Sequence, residues 1–163
     1  MGQRMVAVGE SNKVIREQLA LAYNMTLAVP DLALAVNISA TEAFTGADSR
    51  FRGAIYNDAL TAYRGKLTEI KKINALYVDD ITESVEALSR CSEIFINYAA
   101  NHMLLEARDA GMQITHSLMS YRDPSKKLER NESLDVTART RVKCEFAGSQ
   151  LNGTIAQAMK KHI

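Results

Sequence analysis

The stretch that decides the fold is residues 56–105, YNDALTAYRGKLTEIKKINALYVDDITESVEALSRCSEIFINYAANHMLL. Steps of three and four residues along it select a nearly continuous row of apolar side chains. We call this row the seam: Tyr56, Leu60, Tyr63, Leu67, Ile70, Asn74, Tyr77, Ile81, Ser84, Leu88, Cys91, Phe95, Tyr98, His102 and Leu105. The spacing alternates as in a heptad repeat, so it predicts an amphipathic α-helix that packs against other helices.

The length of this helix is the main open question. No Gly or Pro lies between Lys66 and Ala110, which favours one helix over residues 49–121, about 110 Å long. A short chain cannot shield so long a rod, so we expect other molecules to cover part of the seam. The alternative is a break near Asp80, where Asp80-Ile81-Thr82-Glu83 has the spacing of a capping box and would produce a compact bundle.

The segments on either side of the seam also have helical patterns. Ser11 is a candidate N-cap for a helix that begins near Asn12, and Pro30 predicts a kink or break near Val29. The best turn in the chain is Phe44-Thr45-Gly46, because Gly46 can adopt the left-handed conformation at a helix C-terminus. A short turn between two long helices predicts an antiparallel hairpin.

The C-terminal third has a weaker pattern. Pro124 ends the preceding helix, residues 126–133 are polar, and a further helix is expected over residues 134–163. The sequence therefore predicts an all-α fold: one helical domain over residues 1–163, built as an elongated hairpin or bundle with one very long helix.

The composition argues against several classes of protein. The net charge of +1, with 20 basic and 19 acidic residues, offers no basic surface for nucleic acid. We expect no membrane span, since we find no stretch of about 18 uncharged apolar residues. The first twelve residues lack the apolar core of a conventional signal peptide.

Residues that could carry chemistry are few. His102 and His116 would lie about 21 Å apart on a continuous helix, too far to share a metal ion. No nucleophile elbow, phosphate-binding loop or dinucleotide fingerprint is present. For Cys91 and Cys144 we favour buried free thiols, and a bridge between them stays open. We therefore expect no catalytic residue, no metal and no cofactor.

Residues 8–90 resemble the LXG domains of type VII secretion and the related WXG proteins. The resemblance lies in the opening Val8-Gly9-Glu10-Ser11, the turn at Phe44-Thr45-Gly46, the segment 47–67 and the pair Tyr77-Val78. Phe44 stands where the family has Leu. The Tyr-x-x-x-Asp/Glu export signal of WXG proteins is missing, because Ile81 is the fourth residue after Tyr77.

The resemblance implies a non-catalytic targeting domain that docks small α-helical targeting or chaperone proteins, with the export signal supplied by the partner. Such a protein would be cytoplasmic before export by the type VII machinery and then secreted. In the family the helical region precedes a toxin, and residues 91–122 here continue only as helix. We expect the seam to bind the partner, through Leu60, Tyr63, Leu67, Ile70, Asn74, Tyr77, Ile81, Leu88 and Phe95. The alternative is a self-contained four-helix bundle that serves as a structural or assembly subunit.

Overall fold

Four α-helices make up the part of the chain that the computed structural model describes, which is residues 2–42, 53–109 and 126–162. They are α1 (Gly2–Glu42), α2 (Gly53–Leu76), α3 (Thr82–Asp109) and α4 (Lys126–Lys161). The all-α prediction is confirmed. The predicted turn at Phe44-Thr45-Gly46, Pro124 and His116 lie outside the described residues.

The helices run up and down in an antiparallel bundle. Between α3 and α4, contacts pair Ser84 with Thr154, Cys91 with Cys144 and His102 with Ser133. Residue numbers therefore rise along α3 as they fall along α4, which makes the two helices antiparallel. The same reversed order relates α1 to α4 and α2 to α3, for example through Asn12 with His162. Among the described residues, α1 and α3 contact each other across the bundle and are the closer diagonal pair. The other diagonal pair is α2 and α4, which have no Cα atoms within 8 Å of each other in the described ranges.

One core lies along the bundle axis and takes side chains from all four helices. Its largest fully buried members include Leu19 of α1, Tyr63 of α2, Phe95 of α3 and Leu151 of α4. The rings of Tyr63 and Phe95 pack edge to face with their centroids 6.0 Å apart, an arrangement that aromatic pairs prefer.

The prediction of one very long helix is wrong, and the alternative break near Asp80 is found. Helix α2 ends at Leu76 and α3 begins at Thr82. The Asn74 side-chain amide donates to the Val78 carbonyl at 2.7 Å and to Thr82 Oγ1 at 2.8 Å, which holds the corner. The reversal lets the chain cover its own seam, which a straight rod would leave in water.

The other helix boundaries also differ from expectation. Helix α1 begins at Gly2 rather than near Asn12, and it continues through Pro30 without a break. Pro30 has no N–H for the Thr26 carbonyl, and Asn152 of α4 donates to Thr26 Oγ1 beside this gap at 2.8 Å. Helix α4 begins at Lys126, eight residues earlier than expected, because Arg130 and Ser133 on its polar first turns bind side chains of α3.

The cysteines form a disulfide, so the expectation of free thiols is wrong. Helices α3 and α4 place the Cα atoms of Cys91 and Cys144 5.5 Å apart, within the range that a disulfide spans. Spacing in the sequence could not reveal this, because the two residues are 53 positions apart and meet only in the folded bundle.

Candidate functional site

Most of the seam is buried in the chain's own core. Of the nine residues expected to bind a partner, six are buried: Tyr63, Leu67, Ile70, Ile81, Leu88 and Phe95. Leu60 and Asn74 are partly buried, and Tyr77 is 41% exposed. The expectation that this chain is too short to shield its seam is therefore wrong. Leu67 and Leu88 face their own bundle rather than a free surface.

Most of the exposed large apolar residues lie outside the seam, and residues 11–42 of helix α1 carry five of them. After the core has formed, Leu21 is 49% exposed, Leu27 57% and Ile38 45%, and Val14 and Leu34 are each 39% exposed. Residues 18–41 contain a single charged residue, Asp31. A helix that is apolar on all sides is usually covered on all sides, whereas here the bundle covers only one face of α1.

The low charge of α1 also bears on membranes. The stretch Ser11–Glu42 is long and apolar enough, by length and composition, to cross a bilayer, although a third of its most apolar window is buried in the bundle. Core helices of soluble proteins and N-terminal signal sequences meet the same criterion. The expectation of no membrane span stays a prediction.

A shallow groove runs between α1 and α2 at the end of the bundle where α2 stops. We call it the α1–α2 groove, and its volume is about 270 Å³. Its walls are Gln18, Leu21, Met25, Glu69, Lys72, Ile73, Leu76 and Tyr77. Leu76 is 62% exposed, so at least one apolar side chain of the groove meets solvent. Of these residues, the sequence reasoning identified Tyr77 alone. The signal that it overlooked was the low charge of α1.

A second groove lies between α3 and α4, and we call it the α3–α4 groove. It has a volume of about 330 Å³ and is lined by Cys91, Ile94, Tyr98, Val136, Arg139, Thr140 and Lys143. Ile94, Tyr98 and Val136 give it apolar lining, and Arg139 and Lys143 add two cationic side chains on the α4 side. Nearby on α4, Val142 is 53% exposed and Phe146 is 65% exposed.

A polar cluster is buried between α3 and α4 near the opposite end of the bundle. His102 is fully buried, with Nδ1 3.1 Å from Ser133 Oγ and Nε2 3.2 Å from Glu106 Oε1, although the second contact is too bent for a hydrogen bond. Arg130 Nε donates to the same Glu106 oxygen at 2.7 Å. Burial by itself raises the pKa of Glu106, but the contacts from His102 and Arg130 outweigh it and hold that pKa below its ordinary value.

The order Ser133, His102, Glu106 resembles that of a nucleophilic triad, yet the surroundings do not suit catalysis. His102 has no exposed surface, and neither described groove reaches it. Ser133 lies inside α4, where backbone N–H groups bond to helical carbonyls instead of forming an oxyanion hole. In the described residues, no group of three or more His, Cys, Asp or Glu side chains is arranged to hold a metal ion.

Comparison with known proteins gives no match: no family model, no curated protein and no solved structure is similar to this chain.

Proposed function

We propose that this chain is a non-catalytic helical-bundle domain that binds a small helical partner in the α1–α2 groove. The observation that carries the proposal is the apolar lining of this groove, where Leu21 of α1 and Leu76 and Tyr77 at the end of α2 stay exposed after the core has closed. Burying such a face releases water from apolar surface, and a partner helix is the simplest element that can do this.

The shape and charges of the groove suit an amphipathic helix. Two antiparallel helices leave a long furrow between them, and Leu21, Leu76 and Tyr77 present apolar anchors along it. Aromatic side chains such as Tyr77 are enriched at the centres of interfaces. Glu69 and Lys72 supply one charge of each sign on the α2 side, so complementary charges on a partner would set its direction.

The resemblance to LXG domains extends the proposal to a specific class of partner. The partner would be a small helical targeting or chaperone protein, and the complex would be presented to the type VII machinery for secretion. The Cys91–Cys144 disulfide supports a location outside the reducing cytosol, because such bonds persist in oxidising surroundings. The docking surface of this proposal is the α1–α2 groove, in place of the seam.

The experiment measures binding of a small helical protein encoded beside this chain, by calorimetry, together with circular dichroism of each variant. Leu21→Asp and Tyr77→Asp should weaken binding at least tenfold and leave the helical signal unchanged, because both side chains are exposed. Val142→Asp on α4 is the matched control, since Val142 is 53% exposed and lies outside the groove. Equal binding by Leu21→Asp and Val142→Asp would contradict the proposal.

A variant in the core separates folding from binding. Leu88 is 1% exposed and Leu67 is 7% exposed, so Leu67→Asp or Leu88→Asp should unfold the isolated chain. A folded Leu88→Asp protein that has lost only its partner would restore the seam as the docking surface.

A second candidate is a self-contained structural or assembly subunit. It is favoured by the closed core and by further exposed apolar side chains on the other two helices, Ile94 and Tyr98 of α3 and Val142 and Phe146 of α4. A subunit of this kind would contact copies of itself and form a symmetric oligomer. Light-scattering mass measured over a hundredfold range of concentration would show that oligomer without any foreign partner.

A further inference from the structure

We propose that Cys91 is a thiolation site, the sulfur at which a small anionic thiol opens the Cys91–Cys144 disulfide. The inference rests on three observations, namely the unequal exposure of the two sulfurs, the groove beside Cys91 and the positive charge of that groove. It is independent of the identity of the binding partner.

The two cysteines differ in access. Cys144 has no exposed surface and belongs to the core, whereas Cys91 is partly exposed and lines the α3–α4 groove. A thiolate attacks a disulfide along the line of the S–S bond, so it must reach one sulfur from the side opposite the other. From solvent, the α3–α4 groove leads to Cys91, and reaching Cys144 would require the bundle to open.

The groove attracts anions. Arg139 and Lys143 line the α4 side of the groove, and the carboxylate of Asp135 lies 3.0 Å from Arg139 Nη2. Asp135 and Arg139 are both largely exposed, so this pair is well solvated. Lys143 forms no ion pair with any residue in the described part of α3 or α4. The groove therefore has an uncompensated positive charge beside a sulfur.

The reaction is a thiol–disulfide exchange. The attacking thiolate forms a bond to Cys91 Sγ, the bond between Cys91 Sγ and Cys144 Sγ breaks, and the electron pair leaves with Cys144, which takes a proton from water. The product is a mixed disulfide at Cys91 and a free thiol at Cys144. A second molecule of the same thiol attacks the mixed disulfide, releasing the small-molecule disulfide and a Cys91 thiolate, so two thiols are oxidised as the protein disulfide is reduced.

Two effects oppose each other in this step. Attack at Cys91 expels a thiolate into the core, where the charged form is disfavoured, whereas attack at Cys144 would expel it beside Lys143. Access outweighs this difference, since a sulfur with no exposed surface cannot be reached before the helices separate. The exchange is therefore slow but selective for Cys91, and the anion-binding groove accelerates it.

The first test uses the unmodified oxidised protein. It is treated with glutathione at neutral pH, quenched with acid at short times and digested, and the adduct is located by mass spectrometry. We expect the adduct at Cys91, with a rate that is unchanged by urea below the unfolding transition. An adduct at Cys144, or a rate that rises with urea from the lowest concentrations, would overturn the proposal because it would mean attack on an opened state.

The second test isolates the charge. Lys143→Glu should slow glutathione about three- to tenfold at low salt, accelerate the cationic thiol cysteamine by a similar factor, and leave neutral mercaptoethanol nearly unchanged. Lys71→Glu is the matched control, an exposed lysine on α2, whose described residues have no Cα atom within 8 Å of α4. Equal changes for the three thiols, or equal effects of the two variants, would show that the groove charge plays no part.

Discussion

At the scale of single residues, two buried tyrosines differ in the hydrogen bonding of their hydroxyl groups. Tyr63 and Tyr56 are 0% and 4% exposed. The Tyr63 hydroxyl pairs with Ser92 Oγ at 2.7 Å, whereas the Tyr56 hydroxyl has no hydrogen-bond partner among the residues that the structure describes. A buried hydroxyl without a partner has lost water and gained nothing, so the two residues should respond in opposite ways to loss of the oxygen.

We predict that Tyr56→Phe raises the free energy of unfolding by about 1 kcal/mol and that Tyr63→Phe lowers it by about 1–2 kcal/mol. The second change leaves the Ser92 hydroxyl buried without its partner. Urea denaturation of both variants measures the difference, and each is the control for the other. A loss of stability in both would mean that the Tyr56 hydroxyl is satisfied in solution.

The Glu106 carboxylate should make the stability of the fold depend on pH in the acid range. The pKa of Glu106 in the folded protein lies below its ordinary value of 4.5. The stability that the carboxylate contributes is therefore fully present above pH 4.5 and is lost as the pH falls through the folded pKa. Glu106→Gln should cost about 1.5–3 kcal/mol at pH 7 and flatten the acid limb of stability against pH. The measurement is the urea midpoint from pH 7 to pH 3. Asp135→Asn, at an exposed ion pair, should leave the limb almost unchanged.

At the scale of helices, the corner between α2 and α3 depends on hydrogen bonds made by side chains. Asn74 binds the Val78 carbonyl and the Thr82 hydroxyl, and Thr82 Oγ1 donates to the Asp79 carbonyl at 2.8 Å. Polar side chains that bind nearby backbone compete with the helix, so the chain can turn here without Gly or Pro. The corner also buries Val78 and Ile81 against the bundle.

We predict that Asn74→Ala lowers the free energy of unfolding by about 2 kcal/mol, because the Val78 carbonyl loses its donor. Asn57→Ala, on an exposed position of the same helix, should change it by less than about 0.5 kcal/mol. Thermal unfolding followed by circular dichroism compares the two. Similar melting temperatures for both variants would show that burial of Ile81 alone holds the corner.

At the scale of the whole molecule, the disulfide fastens α4 to α3 across 53 residues of chain. A closed loop of this length is expected to stabilise the fold by about 4 kcal/mol, chiefly by restricting the unfolded chain. A phosphine reductant should therefore lower the free energy of unfolding of the oxidised protein, obtained from its urea midpoint and slope, by about that amount. The double variant Cys91→Ala/Cys144→Ala should start near the reduced value and not respond. An unchanged midpoint after full reduction would contradict this.

The sequence alone determined that the chain is helical and which side chains share a face. Low Gly and Pro content and steps of three and four residues are local properties, and they placed Tyr63 and Ile70 on one face of α2 and Leu88 and Phe95 on one face of α3. The candidate site was largely missed, with only Tyr77 anticipated. The same stripe can face a partner or its own chain, since periodicity does not specify what covers a face.

The tertiary structure decided what covers it. The break after Leu76, the bond between Cys91 and Cys144 and the exposed outer face of α1 all depend on how the helices fold back on one another. Folding back lets a chain of 163 residues bury a seam that a straight rod could not. The physical reason is that burial and bonding between distant residues depend on packing geometry, which no local pattern contains.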